Sequence, residues 1–462
     1  VVSQQAKSGQ IDPFWLISGL FGKFCQFCEA VSSNQLAQRL PVFGYILIRK
    51  YTDYSSQKIP LFSLYPNMII SGRLRLKSGK EQSLKRFHPW VFSGAVQVTE
   101  GAPKEGDWVE VADSKNNTLG FGHYQPGSIT VRMLSFGTAT PSGNFWLTKI
   151  ETALALRKTA GLPSSTTNAY RLIHAEGDGL PGLIVDYYNG VAVMQAHSAG
   201  MHQDRHEIAD AIQKVFRENL KAIYYKSRST LPAGFRNKEE DGYLFGMGAV
   251  PHTIAENGNS FYVDWEDGQK TGFFLDQRDN RQLLANYAQG KSVLNTFCYT
   301  GGFSVYALKS GAKLVHSVDV SEKAVEATRK NIELNGFSSV DHVCFAADSF
   351  EYMEKGTEGY DLIILDPPAF AKHRDARHQA MKGYQRLNTL AMKKIKPGGI
   401  IFTFSCSQVV DRQLFYDTVV SAALNAGREI KVLHRLGQPA DHPVSIYHPE
   451  GEYLKGLVLY VH

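Results

Sequence analysis

The chain reads as an α/β protein with three parts: a small β-barrel, a central α+β domain, and a doubly wound parallel sheet with helices on both faces. Three observations predict this. Short glycine-punctuated strands fill 68–140, a long helix and a glycine-linked hairpin follow, and apolar strands alternate with helical stretches from about 260 onward. Expected boundaries are 68–140 for the barrel, 141–258 for the central domain and 259–462 for the parallel sheet.

In the barrel, Trp108–Ala112 and Ile129–Leu134 alternate as half-buried strands do, with a turn at Ser114–Asn117 between them. Trp90 and Phe92 are expected in its core. A helix is predicted from Phe145 to Thr159, ended by Gly161 and Pro163. Tyr170–Glu176 and Leu183–Tyr188 form a hairpin across Gly177-Asp178-Gly179-Leu180-Pro181-Gly182. The parallel sheet is carried by Ser292–Asn295, Leu314–Asp319, Asp361–Asp366 and Gly399–Phe404, with a helix over Ser321–Asn335.

The first 67 residues show no sustained period, and the chain opens on Val1. They are expected to be a non-native or disordered extension, with Met68 the natural start. Cys25 and Cys28 have CxxC spacing but no second pair nearby, so no metal site is expected. Across 462 residues there are 43% hydrophobic and 20% charged side chains, which excludes a disordered chain. Five cysteines are too few for a disulfide framework, so a reducing cytoplasm is expected. No stretch is long and apolar enough to span a bilayer. The net charge of +6 fits a polyanionic partner without requiring one.

Ligands of open α/β sheets sit at strand carboxyl ends, so those ends carry the functional reading. The first ends in Asn295-Thr296-Phe297-Cys298-Tyr299-Thr300-Gly301-Gly302, where glycine allows close backbone approach. The second ends in Asp319, suited to two ribose hydroxyls, and the third in Asp348, suited to an adenine amino group. The fourth ends in Asp366-Pro367-Pro368. There is no GxGxxG and no P-loop lysine, which disfavours NAD and ATP. The ordered set resembles class I S-adenosylmethionine methyltransferases. Gln277, in Thr271–Arg278 just upstream, is expected to help cover the cofactor. The expected cofactor contacts are Gln277, Asn295, Phe297, Cys298, Thr300, Gly301, Asp319, Asp348 and Asp366.

Cys406 follows a strong strand on the same edge as Asp366. A thiolate added to C6 of a pyrimidine makes C5 nucleophilic, so Cys406 is the candidate nucleophile and Asp366 its partner. A free thiol has a pKa near ~8.5, so the site is expected to lower it. Amine methylation is the alternative chemistry. It is disfavoured because Ala369, not an aromatic, follows the two prolines. A non-catalytic RNA-binding assembly factor is a third reading, set last because the polar strand ends are intact.

Together Gly177–Gly182, Gly272–Arg278, Asp366-Pro367-Pro368, Phe404-Ser405-Cys406-Ser407 and the tail blocks Ala440–Pro443 and Glu450–Gly456 resemble the RlmI-like bacterial 23S rRNA cytosine-C5 methyltransferases over about 68–462. The resemblance implies an N-terminal PUA domain, a Rossmann-like methyltransferase domain, and Cys406 and Asp366 as catalytic pair. Pro368 stands where another branch carries a second cysteine, so the base that removes the C5 proton is open among water, Asp366 and His373. RNA is the expected partner, with no metal and no membrane; a homodimer is compatible with the reading. The RNA footprint is placed on Arg73, Arg75, Lys77, Lys85 and Arg86, in a run with six basic residues and one acidic. Lys372, His373, Arg374 and Arg377 form a second candidate phosphate contact.

Overall fold

The computed structural model describes residues 68–462 apart from 237–239, 338–341, 357–358 and 372. The described residues belong to one compact unit. The expectations for residues 1–67, including Cys25 and Cys28, lie outside them, as does Lys372.

The described strands form four sheets. The first holds β1 (Gly72–Leu76), β2 (Trp90–Phe92), β3 (Val96–Gly101), β4 (Trp108–Ala112), β5 (Thr118–Tyr124) and β6 (Ile129–Phe136), in the order β2-β6-β5-β4-β1-β3. Alternation supplies its small core, with Leu74, Leu76, Val91, Val109, Val111, Val131 and Met133 buried inside. Trp90 is only half-buried and Phe92 is 48% exposed, contrary to the expectation that both are core. The reason is geometric. β2 is a three-residue edge strand whose one inward position is taken by Val91.

Helix α1 (Phe145–Thr159) then leads into β7 (Ala169–His174), β8 (Leu183–Tyr188) and β9 (Val191–Ala196). Helix α2 (Arg205–Phe216), β10 (Ala222–Tyr225) and β11 (Gly242–Gly246) complete a five-stranded sheet. Every residue of β9 is buried. Val191 and Val193 face a core shared with the C-terminal domain, whereas Ala192 and Met194 face α1 and α2. Burial on both faces explains the unbroken apolar run, and it joins the central domain firmly to the C-terminal one. The expected strand through Glu176 stops at His174, and Ala175–Asp178 is a short 3-10 turn.

A hairpin of β12 (His252–Glu256) and β13 (Asn259–Val263) comes next. The boundary expected at 258 falls in its turn, so the hairpin is undivided. After α3 (Arg278–Ala288) the parallel sheet begins with β14 (Ser292–Thr296), followed by α4 (Gly302–Lys309), β15 (Leu314–Asp319), α5 (Glu322–Leu334), β16 (His342–Ala346) and α6 (Ser349–Lys355). Then come β17 (Tyr360–Leu365), α7 (Arg377–Lys394), β18 (Ile395–Ser405), α8 (Arg412–Ala426), β19 (Ile430–Leu436) and β20 (Lys455–Val461). The spatial order is β16-β15-β14-β17-β18-β20-β19. Only β20 runs antiparallel, inserted between β18 and β19.

The tail is fastened by Asp441, which is fully buried. Its carboxylate accepts both arms of Arg278 at 2.9 and 2.8 Å and the Arg171 amide at 3.0 Å. Its carbonyl accepts from Arg157 at 2.8 Å. Gly177 belongs to the same junction: a Cβ there would lie 1.9 Å from the Pro443 carbonyl oxygen. The glycine-rich hairpin link is thus where the tail's backbone passes.

Candidate active site

The strand order reverses between β14 and β17, and at that point an open sheet leaves a crevice at its carboxyl edge. Thr296 donates to the Ile364 carbonyl at 2.6 Å, fixing the two strand ends side by side. The chain then turns sharply: Phe297, Tyr299 and Gly301 all have positive φ, at 54°, 48° and 77°. The Tyr299 amide donates to Asp319 at 3.0 Å, and the Ser321 amide donates to the other Asp319 oxygen at 3.0 Å. The carboxylate at the end of β15 is therefore aimed by two backbone groups, with a lone pair left on each oxygen. Gly301 packs against α5, where a Cβ would lie 2.6 Å from Thr328 Cγ2.

The remaining loop residues do different work. Asn295 is buried and donates to Ser304 at 2.8 Å, in a chain that continues to Ser317 and His342. Its side chain serves the layer between sheet and α4. Cys298 is buried, 3.6 Å from the Thr328 hydroxyl, and burial pushes its thiol far up. The Thr300 carbonyl accepts from Asn331 at 2.8 Å. Asp348 caps α6, one oxygen accepting from Phe350 and Glu351. The residue itself is exposed.

The segment before α3 closes one side of the crevice. Phe274 meets the Tyr299 ring edge-on at 5.0 Å, and the Tyr299 hydroxyl donates to Gly272. Asp276 accepts from Tyr453 at 2.7 Å through one oxygen; the other is buried with no partner. Asp366 follows β17. Burial, then the charge of Asp276, pushes its carboxyl up to about 7, while a hydrogen bond from Gln277 and the Arg281 charge oppose this. Cys406 follows β18, half-buried, its thiol pushed up to about 11 by burial first and then by Asp366. The sequence led us to expect a lowered thiol. The reversal comes from placing sulfur in a low-dielectric edge beside carboxylates. Lys270 and Lys455 act the other way.

Sequence reasoning missed Asp276 and Lys455 as parts of this site. Both stood in motifs already singled out, but only the folded register places them at the edge of Cys406. His373, a candidate base, is exposed in the turn before α7.

The residues fit a nucleoside that carries a cation. Asp319 offers acceptors for hydroxyls, and the unpartnered Asp276 oxygen together with Asp366 makes the crevice floor negative.

A family model described as S-adenosylmethionine-dependent methyltransferase matches residues 170–452, and one described as a PUA-like domain matches 74–136. The chain is 42% identical over 399 residues to "Ribosomal RNA large subunit methyltransferase I" of Alteromonas mediterranea, covering 84% of this chain and 98% of that protein. This chain belongs to that family of S-adenosylmethionine-dependent methyltransferases. A relative of the same name from Photobacterium profundum is also 42% identical over 84% of this chain. Among solved structures, a SAM-dependent methyltransferase from Streptococcus mutans aligns over 85% of this chain and 100% of its own, with a TM-score of 0.72 and 25% identity. Another, described as a methyltransferase complexed with SAH, gives 0.73 at 25% identity. S-adenosylmethionine is the cofactor of the family, and its domain is the one that holds the crevice.

The basic run of the barrel is less free than its composition promised. Arg73 is paired with Glu110 at 3.0 Å and Arg75 approaches Glu100 at 4.0 Å, both across neighbouring strands. Lys77, Lys85 and Arg86 are exposed, although Lys85 also approaches Glu81 at 4.0 Å within its own turn.

Proposed function

We propose that this chain methylates C5 of a cytosine in 23S ribosomal RNA, with Cys406 as nucleophile and Asp366 as proton carrier. The observation that carries this reading is the pairing of Cys406 and Asp366 at the ends of the adjacent strands β17 and β18, with the Asp366 charge raising the proton affinity of the thiol. The relatives named for large-subunit ribosomal RNA give the substrate class.

S-adenosylmethionine, when bound, would supply an electrophilic methyl group; Asp319, the 297–301 turn, Asp348 and Gln277 are the residues that would hold it. Cys406 is a thiol at neutral pH, so its proton must leave before sulfur can attack. The Asp366 carboxylate takes that proton, and the sulfur electron pair forms the bond to C6. The C5–C6 π electrons become available at C5 as Asp366 passes its proton to N3. C5 takes the methyl group, a base removes the C5 proton, the sulfur–C6 bond breaks, and N3 returns its proton to Asp366. The half-buried crevice keeps water from competing for these protons.

Lys77, Lys85 and Arg86 present the exposed charge with which the barrel holds phosphates. Among the described residues no helix is long and apolar enough to cross a membrane, and we place the enzyme with its RNA in the cytoplasm.

The test is Cys406→Ala together with RNA carrying 5-fluorocytosine at the target. The alanine variant is expected to bind S-adenosylmethionine and RNA but transfer no methyl group. Wild-type protein should form a denaturation-resistant adduct, because fluorine blocks loss of the C5 substituent. An alanine variant that methylates at a similar rate, without any adduct in the wild type, would replace this reading by methylation of an exocyclic amine.

A further inference from the structure

Cys406 has a high thiol pKa and two carboxylates near it. A nucleophile in that position requires a cation. Lys455 is the side chain that the fold brings there. In the β18–β20 pair, Ser405 stands opposite Lys455. The Lys455 ammonium donates to the Ser407 carbonyl at 2.6 Å. These two anchors fall on either side of Cys406. Ser407 is itself fixed, its hydroxyl donating to the Ala371 carbonyl at 2.7 Å.

Lys455 is 3% exposed, and among the described residues no carboxylate lies within ion-pair distance of its nitrogen. Glu452 and Asp411 act only from farther off, and Glu452 is already gripped by Arg412. A buried ammonium with one hydrogen bond and no counter-anion is an expensive arrangement. Burial accordingly pushes its pKa down to about 8, and Arg412 adds to this. The largest influence in the opposite direction is the charge of Cys406. A lysine whose only task was to tie the end of β18 would need neither a charge nor this burial.

We propose that Lys455 is the counter-cation of the Cys406 thiolate, a positioning residue that acts on methyl transfer through the sulfur. The inference rests on the reading of Cys406 as nucleophile. The thiol proton leaves for the Asp366 carboxylate, the electron pair stays on sulfur, and the negative charge moves from Asp366, which has Asp276 beside it, to a sulfur that has the Lys455 ammonium beside it. Sulfur then spends that pair on the bond to C6. When the bond breaks, the thiolate re-forms next to the same cation. Asp366, Asp276 and Lys270 are the other charged groups facing the sulfur.

The experiment uses the full chain without RNA and follows alkylation of Cys406 by iodoacetamide against pH, with the modified peptide identified by mass. Lys455→Gln keeps an N–H donor for Ser407 and removes the charge; Lys455→Met is a second neutral variant, so that either can decide if the other fails to fold. Both are expected to lower Cys406 reactivity at about pH 7, where Lys455 still carries its proton, tenfold or more, the equivalent of one pH unit in the thiolate population. Lys455→Arg, which keeps the charge, should titrate close to wild type. The kcat of methyl transfer should fall in the neutral variants while KM for S-adenosylmethionine stays near wild type. A folded neutral variant whose Cys406 titrates as in wild type overturns the role of Lys455. Methylation by Cys406→Ala would overturn the nucleophile reading itself, so the two failures are told apart.

Discussion

Replacing Gly301 by alanine tests how the turn after β14 is built. The residue has φ of 77°, which costs an L-residue about 1–2 kcal/mol. The new Cβ would also meet Thr328, 2.6 Å from Cγ2 and 3.1 Å from the hydroxyl oxygen. Thr328 cannot swing aside. It is 0% exposed, and its hydroxyl donates to the Tyr299 carbonyl at 2.9 Å. Overpacking of this kind costs about 1–3 kcal/mol, so Gly301→Ala should cost roughly 2–5 kcal/mol in all. The turn relieves the contact by moving, and the Tyr299 amide that aims Asp319 moves with it. Affinity for S-adenosylmethionine should fall at least about tenfold, the equivalent of ~1.4 kcal/mol. Thr328→Ser deletes Cγ2 and keeps the hydroxyl. In the double variant it should return the steric part, about 1–3 kcal/mol, and leave the backbone part. Titration calorimetry and urea unfolding on the four proteins measure both. Wild-type affinity in Gly301→Ala, or no recovery in the double variant, would refute the reasoning.

Three further outcomes are expected. In Asp366, a carboxyl raised from 3.8 to about 7 favours the fold when neutral; that contribution is full below about 3.8 and is lost as pH rises through about 7. Asp366→Asn should therefore stabilise the protein at about pH 8, on the order of 2–4 kcal/mol by urea midpoint, with the gain vanishing by about pH 4, while methyl transfer is lost. Asp441→Asn removes the buried counter-charge of Arg278, leaving only the exposed Asp279 at 3.4 Å, and should cost about 3–5 kcal/mol; a shift of the denaturation midpoint equivalent to under 1 kcal/mol would contradict the part assigned to this ion pair. Neutralising Lys77, Lys85 and Arg86 together should lower the salt slope of RNA binding by roughly 2–3, whereas Arg73→Ala, already paired with Glu110, should leave it nearly unchanged.

What was legible in the sequence depends on the range of the forces involved. Helix α1 was readable because its stop at Gly161 and Pro163 is a local signal, and its ends agree with the structure. β15 and the hairpin of β7 and β8 were readable for the same reason. The carboxylates at strand ends were readable because a parallel sheet puts functional groups there by topology. The buried partners of Asp441 were not: Arg278 is 163 positions away and Arg157 is 284. The direction of the Cys406 shift was not readable either, because it is set first by burial, which no local pattern reports. Arg73 and Arg75 looked like free charge because their partners, Glu110 and Glu100, sit on other strands.

The place of β20 has a consequence for the order of assembly. It is made after every other described strand, yet it lies inside the sheet, with β18 on one side and β19 on the other. Until residues 455–461 have left the ribosome, β18 offers an open hydrogen-bonding edge and an apolar face that includes Phe402 and Phe404. A nascent chain in that state is prone to wrong pairing, and β19 has no neighbour to dock on. Insertion of one late strand closes the gap and carries Lys455 to Cys406 in the same movement. Until that movement Cys406 and Lys455 stay apart, so this edge of the crevice is completed only with the last strand.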